Sequence, residues 1–383
     1  MINPSTGNEL TMQSIQPFAI RIMAITLAMI IAGCGSGGAP SVVSSIASDT
    51  PIVVPASAPL PPPGQSSSTN AISPSAHWSL VWRDEFEGSN IDLNNWEIEV
   101  NCWGGGNNEQ QCYTGQSKNA RVHDGLLDIV AYREDFTGPA EIEGAGANTK
   151  TLPYTSARLR TMHKGDWKYG RFEIRAKLPA GQGTWPAIWM LPTDYVYGGW
   201  AASGEIDIME AVNLKAQSDE MGAAPGTPES RVHGTLHYGK AWPDNVYSGA
   251  PFTLEDNKNP ADDFHVYALE WEEGEIRWYV DNIHYATQKQ RGWYSQYFDS
   301  NSNVVNGKGS APFDQNFHMI LNLAVGGSWA ANVNDTGIDE SVFPQTLSID
   351  YVRVYQCSVQ PDTGAGCAAI GDDAVLVEGY TAP

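Results

Sequence analysis

Residues 171–178 alternate strictly between two kinds of side chain: Phe172, Ile174, Ala176 and Leu178 interleave with Arg171, Glu173, Arg175 and Lys177. Successive strand residues point to opposite faces, so the pattern predicts a strand with one dry and one wet face. The same period returns at Ile276, Trp278 and Val280, and at Met319, Leu321, Leu323 and Val325. Gly, Pro, Asn and Asp punctuate these runs and no helical periodicity intervenes. Many short antiparallel strands without helices must bury their dry faces against one another, which predicts an all-β fold, a jelly-roll sandwich of two antiparallel sheets. With 38 Gly, 24 Pro and 13 Trp but only 17% charged residues, the composition suits such a turn-rich, aromatic-rich chain.

One strand breaks the rule. In Gly204-Glu205-Ile206-Asp207-Ile208-Met209-Glu210, Glu205 and Asp207 share a face, the isoleucines take the other, and Glu210 falls out of phase. Regular pairing would bury Glu210 unpaired beside the isoleucines, at high cost, so a β-bulge at Met209 is expected to return it to the acidic face. Three carboxylates on a rigid strand suit glycoside hydrolysis, which needs one ionised carboxylate as nucleophile and one protonated carboxyl as acid. Mutual repulsion would raise one pKa, and Asp207 between them could hydrogen-bond the nucleophile. A solvated acidic face, or oxygen ligands for a hard cation, are the alternatives that the heptapeptide leaves open.

A formal charge of −22 excludes phosphate-backbone recognition by clustered Lys and Arg, so nucleic acid is not an expected partner. It also argues against sulfated or uronic polysaccharides. A neutral glycan, held by stacking and hydrogen bonds, is compatible.

The N-terminus carries a targeting segment. Arg21 precedes the apolar run Ile22 to Ala32, too short to span a bilayer, which ends in Ile31-Ala32-Gly33-Cys34. That tetrapeptide resembles a bacterial lipobox, in which the cysteine, here Cys34, is lipidated; a plain signal peptide is the alternative. Residues 35–77 are almost wholly Gly, Ser, Ala, Pro and Val, a tether with a reach of roughly 35 Å. The expected domains are thus a signal peptide (1–34), a disordered linker (35–77), a catalytic domain (78–356) and a C-terminal tail (357–383). The expected location is extracytoplasmic, lipid-anchored at the outer membrane or cell surface, or else secreted. Cys102, Cys112, Cys357 and Cys367 suit an oxidising compartment; of the three possible pairings the two local ones, Cys102 with Cys112 and Cys357 with Cys367, are favoured because each closes a short loop that sterics permit, and a zinc site is disfavoured because no histidines stand at ligand spacing beside them.

In Gly183-Thr184-Trp185-Pro186-Ala187-Ile188-Trp189-Met190, Ile188 and Met190 take the core face and leave Trp185 and Trp189 opposite, as sugar platforms, with one of the two as readily a core residue. Trp200, in the turn before the acidic strand, is a third platform candidate. In His233-Gly234-Thr235-Leu236-His237 the histidines share a face. The spacing lacks the helix and Glu of a zinc-binding HExxH, so His237 reads as a hydrogen-bonding group and His233 as structural just as readily.

Together these segments resemble family 16 glycoside hydrolases, particularly laminarinase-like endo-β-1,3-glucanases. The resemblance spans nearly all of 78–356 and rests on Trp82-Arg83-Asp84-Glu85-Phe86, Asn107-Asn108-Glu109, Gly170-Arg171-Phe172-Glu173, the Gly183 to Trp189 run, the Glu205 to Glu210 motif, Val232 to His237, and Ile349-Asp350-Tyr351-Val352-Arg353-Val354. It implies a concave cleft, with Glu205 as nucleophile, Asp207 assisting, Glu210 as general acid/base and retention of configuration. Asn108, Arg158 and Trp329 join Trp185, Trp189, Trp200 and His237 as implied sugar contacts. No cofactor is implied for catalysis, only a structural calcium with oxygens from Glu85, Gly125 and Asp350. The extra Met209 resembles the bulged subgroup rather than the unbulged lichenases. The implied substrate is a laminarin-type β-glucan cut internally by a monomer that meets the membrane only through its lipid. Another family 16 activity, on mixed-linkage glucan or agarose, and a non-catalytic glucan-binding protein are the alternatives, the last disfavoured because both glutamates are present.

Overall fold

The computed structural model describes residues 71–142 and 147–383. The signal segment, Cys34 and the linker up to residue 70 lie outside the described residues.

Among these, two large sheets face each other. One has eleven strands and is built around Gly170–Lys177, His265–Glu272, Glu275–Val280, Leu126–Pro139 and the long strand Gln345–Cys357. The other has eight, ordered Val246–Thr253, Arg231–Tyr238, Glu205–Glu210, Thr184–Pro192, Phe317–Val325, Arg158–Arg160 and Glu97–Ile98, with Asp166–Trp167 pairing to the side. Pairing between successive members of the eight-stranded sheet is antiparallel throughout. The alternation read from sequence supplies the dry layer: Phe172, Ile174, Trp278, Leu127 and Ile129 from the first sheet meet Ile188, Met190, Ile206, Leu236, Met319, Leu321 and Leu323 from the second in one buried core. The other face of the eight-stranded sheet is thereby left to carry the polar residues of the same strands.

The bulge forms where the acidic strand needs it. Against Arg231–Tyr238, Asp207 faces Thr235 and Glu210 faces His233, so Ile208 and Met209 together oppose Gly234. Against Thr184–Pro192, Met209 meets Ile188 and Asp207 meets Trp189, which makes Ile208 the extra residue on that side. Both Ile208 and Met209 are buried in the core, and Glu210 returns to the face of Glu205 and Asp207. Gly234 is required opposite the bulge, because a Cβ there would stand 2.3 Å from Cδ1 of Trp278. Trp278 in turn donates its indole N–H to the Asp207 carbonyl at 2.8 Å, so a core tryptophan holds the backbone of the acidic strand.

Both disulfides join the local pairs, Cys102 to Cys112 and Cys357 to Cys367. The first packs with Leu152 and Phe136 of a long hairpin and so ties the 102–112 loop to the fold. The C-terminal tail, for which the sequence shows no role, continues the eleven-stranded sheet. Val375–Val377 pairs in parallel with Ile283–Lys289, and the Tyr380 N–H donates to the Gly292 carbonyl at 3.0 Å and to the Tyr238 hydroxyl at 2.9 Å. A three-residue strand is too short to show a period, and its pairing is made by backbone groups common to every residue.

Candidate active site

The strand Glu205–Glu210 lies third from the edge of the eight-stranded sheet and presents its three carboxylates on one face. Each glutamate receives one indole N–H: Trp200 donates to Glu205 Oε2 at 2.8 Å and Trp185 donates to Glu210 Oε1 at 2.9 Å. The His237 ring lies beside the first carboxylates, with Nε2 3.6 Å from Glu205 Oε1 and 3.4 Å from Asp207 Oδ2. Asp207 is 2% exposed, and its Oδ2 has no hydrogen-bond partner.

Glu205, Asp207 and His237 offer ligand atoms within 4.8 Å of one another, so the cation alternative has a geometric basis. The Trp200 indole takes Glu205 Oε2, while Oε1 is the oxygen turned toward His237, so this bond fixes the carboxylate without closing it to a cation. It fits a carboxylate held in one orientation and charge state.

Burial governs the charges. It pushes Glu205 up to about 7, against the Trp200 hydrogen bond and the nearby Arg158 guanidinium, which favour the ionised form. Glu210 is likewise pushed up to about 7 by burial, opposed by His237 and the Trp185 bond and reinforced by the charges of Glu205 and Glu109. Asp207 is raised well above the usual carboxylate range by burial and by both glutamates. His237 is lowered by burial, against the Glu210 carboxylate, which favours its protonated form. The cluster thus holds protons at neutral pH. Arg158 favours charge on Glu205, while Glu109 favours a proton on Glu210.

The remaining expected residues divide. Trp189 stands on the acidic side of the sheet, donates to Asn322 Oδ1 at 2.7 Å and carries the Arg158 guanidinium over its ring at 4.7 Å. Arg158 is buried and paired with Glu99 at 3.0 Å, so it orders this part of the face. Trp200 is half-buried and lies against His237, ring centroids 5.6 Å apart. Trp329 is half-buried between Trp185 and His233, edge-on to both. Asn108 is exposed on the 102–112 loop with a positive φ of 58°, remote in its bonding from the carboxylates. Of the two tryptophans, Trp185 is the one that takes the core place allowed for either: at 8% exposure it packs with Val212, Ala324 and Ala330. Its free face was spent on covering a glutamate that desolvation must protonate.

Two residues escape sequence reasoning. Glu109, 5% exposed, accepts hydrogen bonds from Asn107, Gln111 and Tyr113 and adds negative potential at Glu210. Its place in the Asn107-Asn108-Glu109 motif was the available signal. Tyr247, opposite His237 in the neighbouring strand, lay in a run with no clear alternation.

A sequence model described as "Beta-porphyranase A-D, GH16 domain" matches residues 78–357. The chain belongs to glycoside hydrolase family 16. It is 42% identical over 293 residues to a beta-glucanase of Rhodothermus marinus, covering 73% of this chain and 86% of that protein. It is 40% identical over 289 residues to glucan endo-1,3-beta-glucosidase A1 of Niallia circulans, but spans only 38% of that longer protein. Among solved structures, the laminarinase from Rhodothermus marinus aligns with a TM-score of 0.56 at 40% identity, covering 73% of this chain and 97% of that one. The family 16 fold and the enzyme class expected from the motifs are therefore those of this chain.

The calcium set lies on the eleven-stranded sheet. Arg353 donates to both carboxylate oxygens of Glu85, at 2.8 Å each, and Arg175 donates to Asp350 Oδ2 at 2.5 Å. Calcium there would draw on oxygens of Glu85, Gly125 and Asp350, an all-oxygen set of the kind the ion takes, in competition with the arginines that hold both carboxylates.

Proposed function

We propose that this family 16 enzyme is an endo-acting, retaining hydrolase of β-1,3-glucan. The observation that carries the reading is the pairing of each glutamate with its own indole donor on one face of one strand, in a chain whose relatives include a beta-glucanase and a glucan endo-1,3-beta-glucosidase.

In the first step the Glu205 carboxylate attacks the anomeric carbon from one face of the sugar. The C1–O bond breaks, and the Glu210 proton passes to the departing glycosidic oxygen. This leaves a glycosyl ester on Glu205 and a carboxylate on Glu210. In the second step Glu210 takes a proton from water, the resulting hydroxide oxygen bonds to C1, and Glu205 departs as a carboxylate. Two inversions give retention. Asp207, protonated and beside Glu205, steadies the carboxylate that is first nucleophile and then leaving group. No cofactor takes part. Calcium, held as described on the other sheet, would supply stability alone; a rise in Tm with calcium that EDTA reverses tests it.

The rest of the reading concerns placement. The lipobox-like Cys34 and the Ser/Pro-rich linker support an extracytoplasmic monomer tethered by lipid to a bacterial membrane. Mass spectrometry of the purified native protein tests the lipid at Cys34. Offering the enzyme laminarin, curdlan, lichenan and agarose while following reducing ends tests the substrate. Turnover of agarose or lichenan alone would move the activity to another family 16 glycan.

A further inference from the structure

The concave face does not end at the carboxylates. From Glu205 the register runs to His237 and on to Tyr247 in the edge strand Val246–Thr253, two strand spacings or roughly 10 Å away. Along that line the rings follow one another: Trp200 lies 5.6 Å from His237, and His237 lies 5.5 Å from Tyr247. Tyr247 is nevertheless 66% exposed. Trp242, in the loop entering the edge strand, is 73% exposed, although its backbone N–H is anchored to the Trp200 carbonyl at 2.9 Å. No ring contact or side-chain hydrogen bond engages the Trp242 indole among the described residues.

Two large aromatic faces left in water beside a glycan cleft have no packing role that accounts for them. Their apolar faces match the C–H faces of pyranose rings, and their polar edges stay wet. We propose that Tyr247 and Trp242 form a sugar-binding platform that carries the glucan chain past Glu205 and over the edge of the sheet. The occupant is a further stretch of the same β-1,3-glucan, an inference that rests on the substrate reading above and is argued from the unbroken line of rings leading out of the cleft. The platform selects for long chains, because a short oligosaccharide held at the carboxylates does not reach the edge strand.

The test compares the full chain with Trp242→Ala, Tyr247→Ala, Tyr247→Phe and the double alanine variant on laminari-oligosaccharides of increasing length and on laminarin. Binding of each, in a Glu205→Gln background, to insoluble curdlan is measured alongside. The expected result is a loss of kcat/KM, carried by KM, that grows with chain length to about tenfold per ring on the polymer. Curdlan binding weakens in parallel, and Tyr247→Phe retains both. Equal losses at every length, or unchanged kcat/KM and curdlan binding in the double variant, would overturn the platform. A parent enzyme that cleaves no β-1,3-glucan would instead overturn the substrate reading, and this occupant with it.

Discussion

The Trp185 indole donates its N–H to Glu210 at 2.9 Å while its ring is packed against Val212 and Ala324, so one side chain both desolvates the carboxyl and fixes its direction. Trp200 does the corresponding service for Glu205. The two tryptophans thereby oppose part of the rise that burial imposes on each carboxyl.

The pH profile should report this. Activity requires Glu205 ionised and Glu210 protonated, so kcat/KM is bell-shaped and centred near neutral, with limbs that belong to the coupled pair. An N–H donor favours the ionised form, so removing it raises the pKa. Trp200→Phe is expected to move the acid limb to higher pH, and Trp185→Phe to move the alkaline limb to higher pH. Rate profiles of the two variants check both shifts.

Stability follows the same protons. Glu205 and Glu210 ionise near the usual carboxylate range when unfolded but only at about 7 when folded, so the folded state binds more protons between those values. The contribution is full below the unfolded pKa and is lost as pH rises through 7. Glu205→Gln and Glu210→Gln are therefore expected to raise Tm above the parent at pH 8, with the gap closing toward pH 4. Thermal denaturation at the two pH values measures it.

Gly234 is the steric partner of the bulge. An alanine methyl would drive into Trp278, which holds the Asp207 carbonyl. Gly234→Ala is expected to cost about 2 kcal/mol or more and to lower kcat by displacing the acidic strand. Denaturant unfolding and single-substrate kinetics check the two effects.

Sequence legibility followed the physics of each element. Strands with one dry face, such as Gly170–Lys177 and Arg231–Tyr238, announce themselves by period, and the misplaced charge at Glu210 reveals the bulge because burying it unpaired is costly. The faces of the acidic strand were therefore readable almost to the residue. What escaped depends on contacts between distant segments. Whether Trp185 stays open or is roofed by Trp329 and Ala330 is decided by a loop more than a hundred residues away. The short strand Val375–Val377 pairs through backbone groups that carry no sequence signature. Tyr247 faces the cleft because of its register with His237, which no local pattern in its own strand discloses.

The central claim is double displacement by Glu205 with Glu210 as acid and base. Proton NMR of laminarin during the first minutes of hydrolysis tests it most directly. The account predicts that new reducing ends appear as the β-anomer and mutarotate afterwards, and that Glu205→Gln or Glu210→Gln lowers kcat by several orders of magnitude with the fold intact. New ends that appear first as the α-anomer would contradict it.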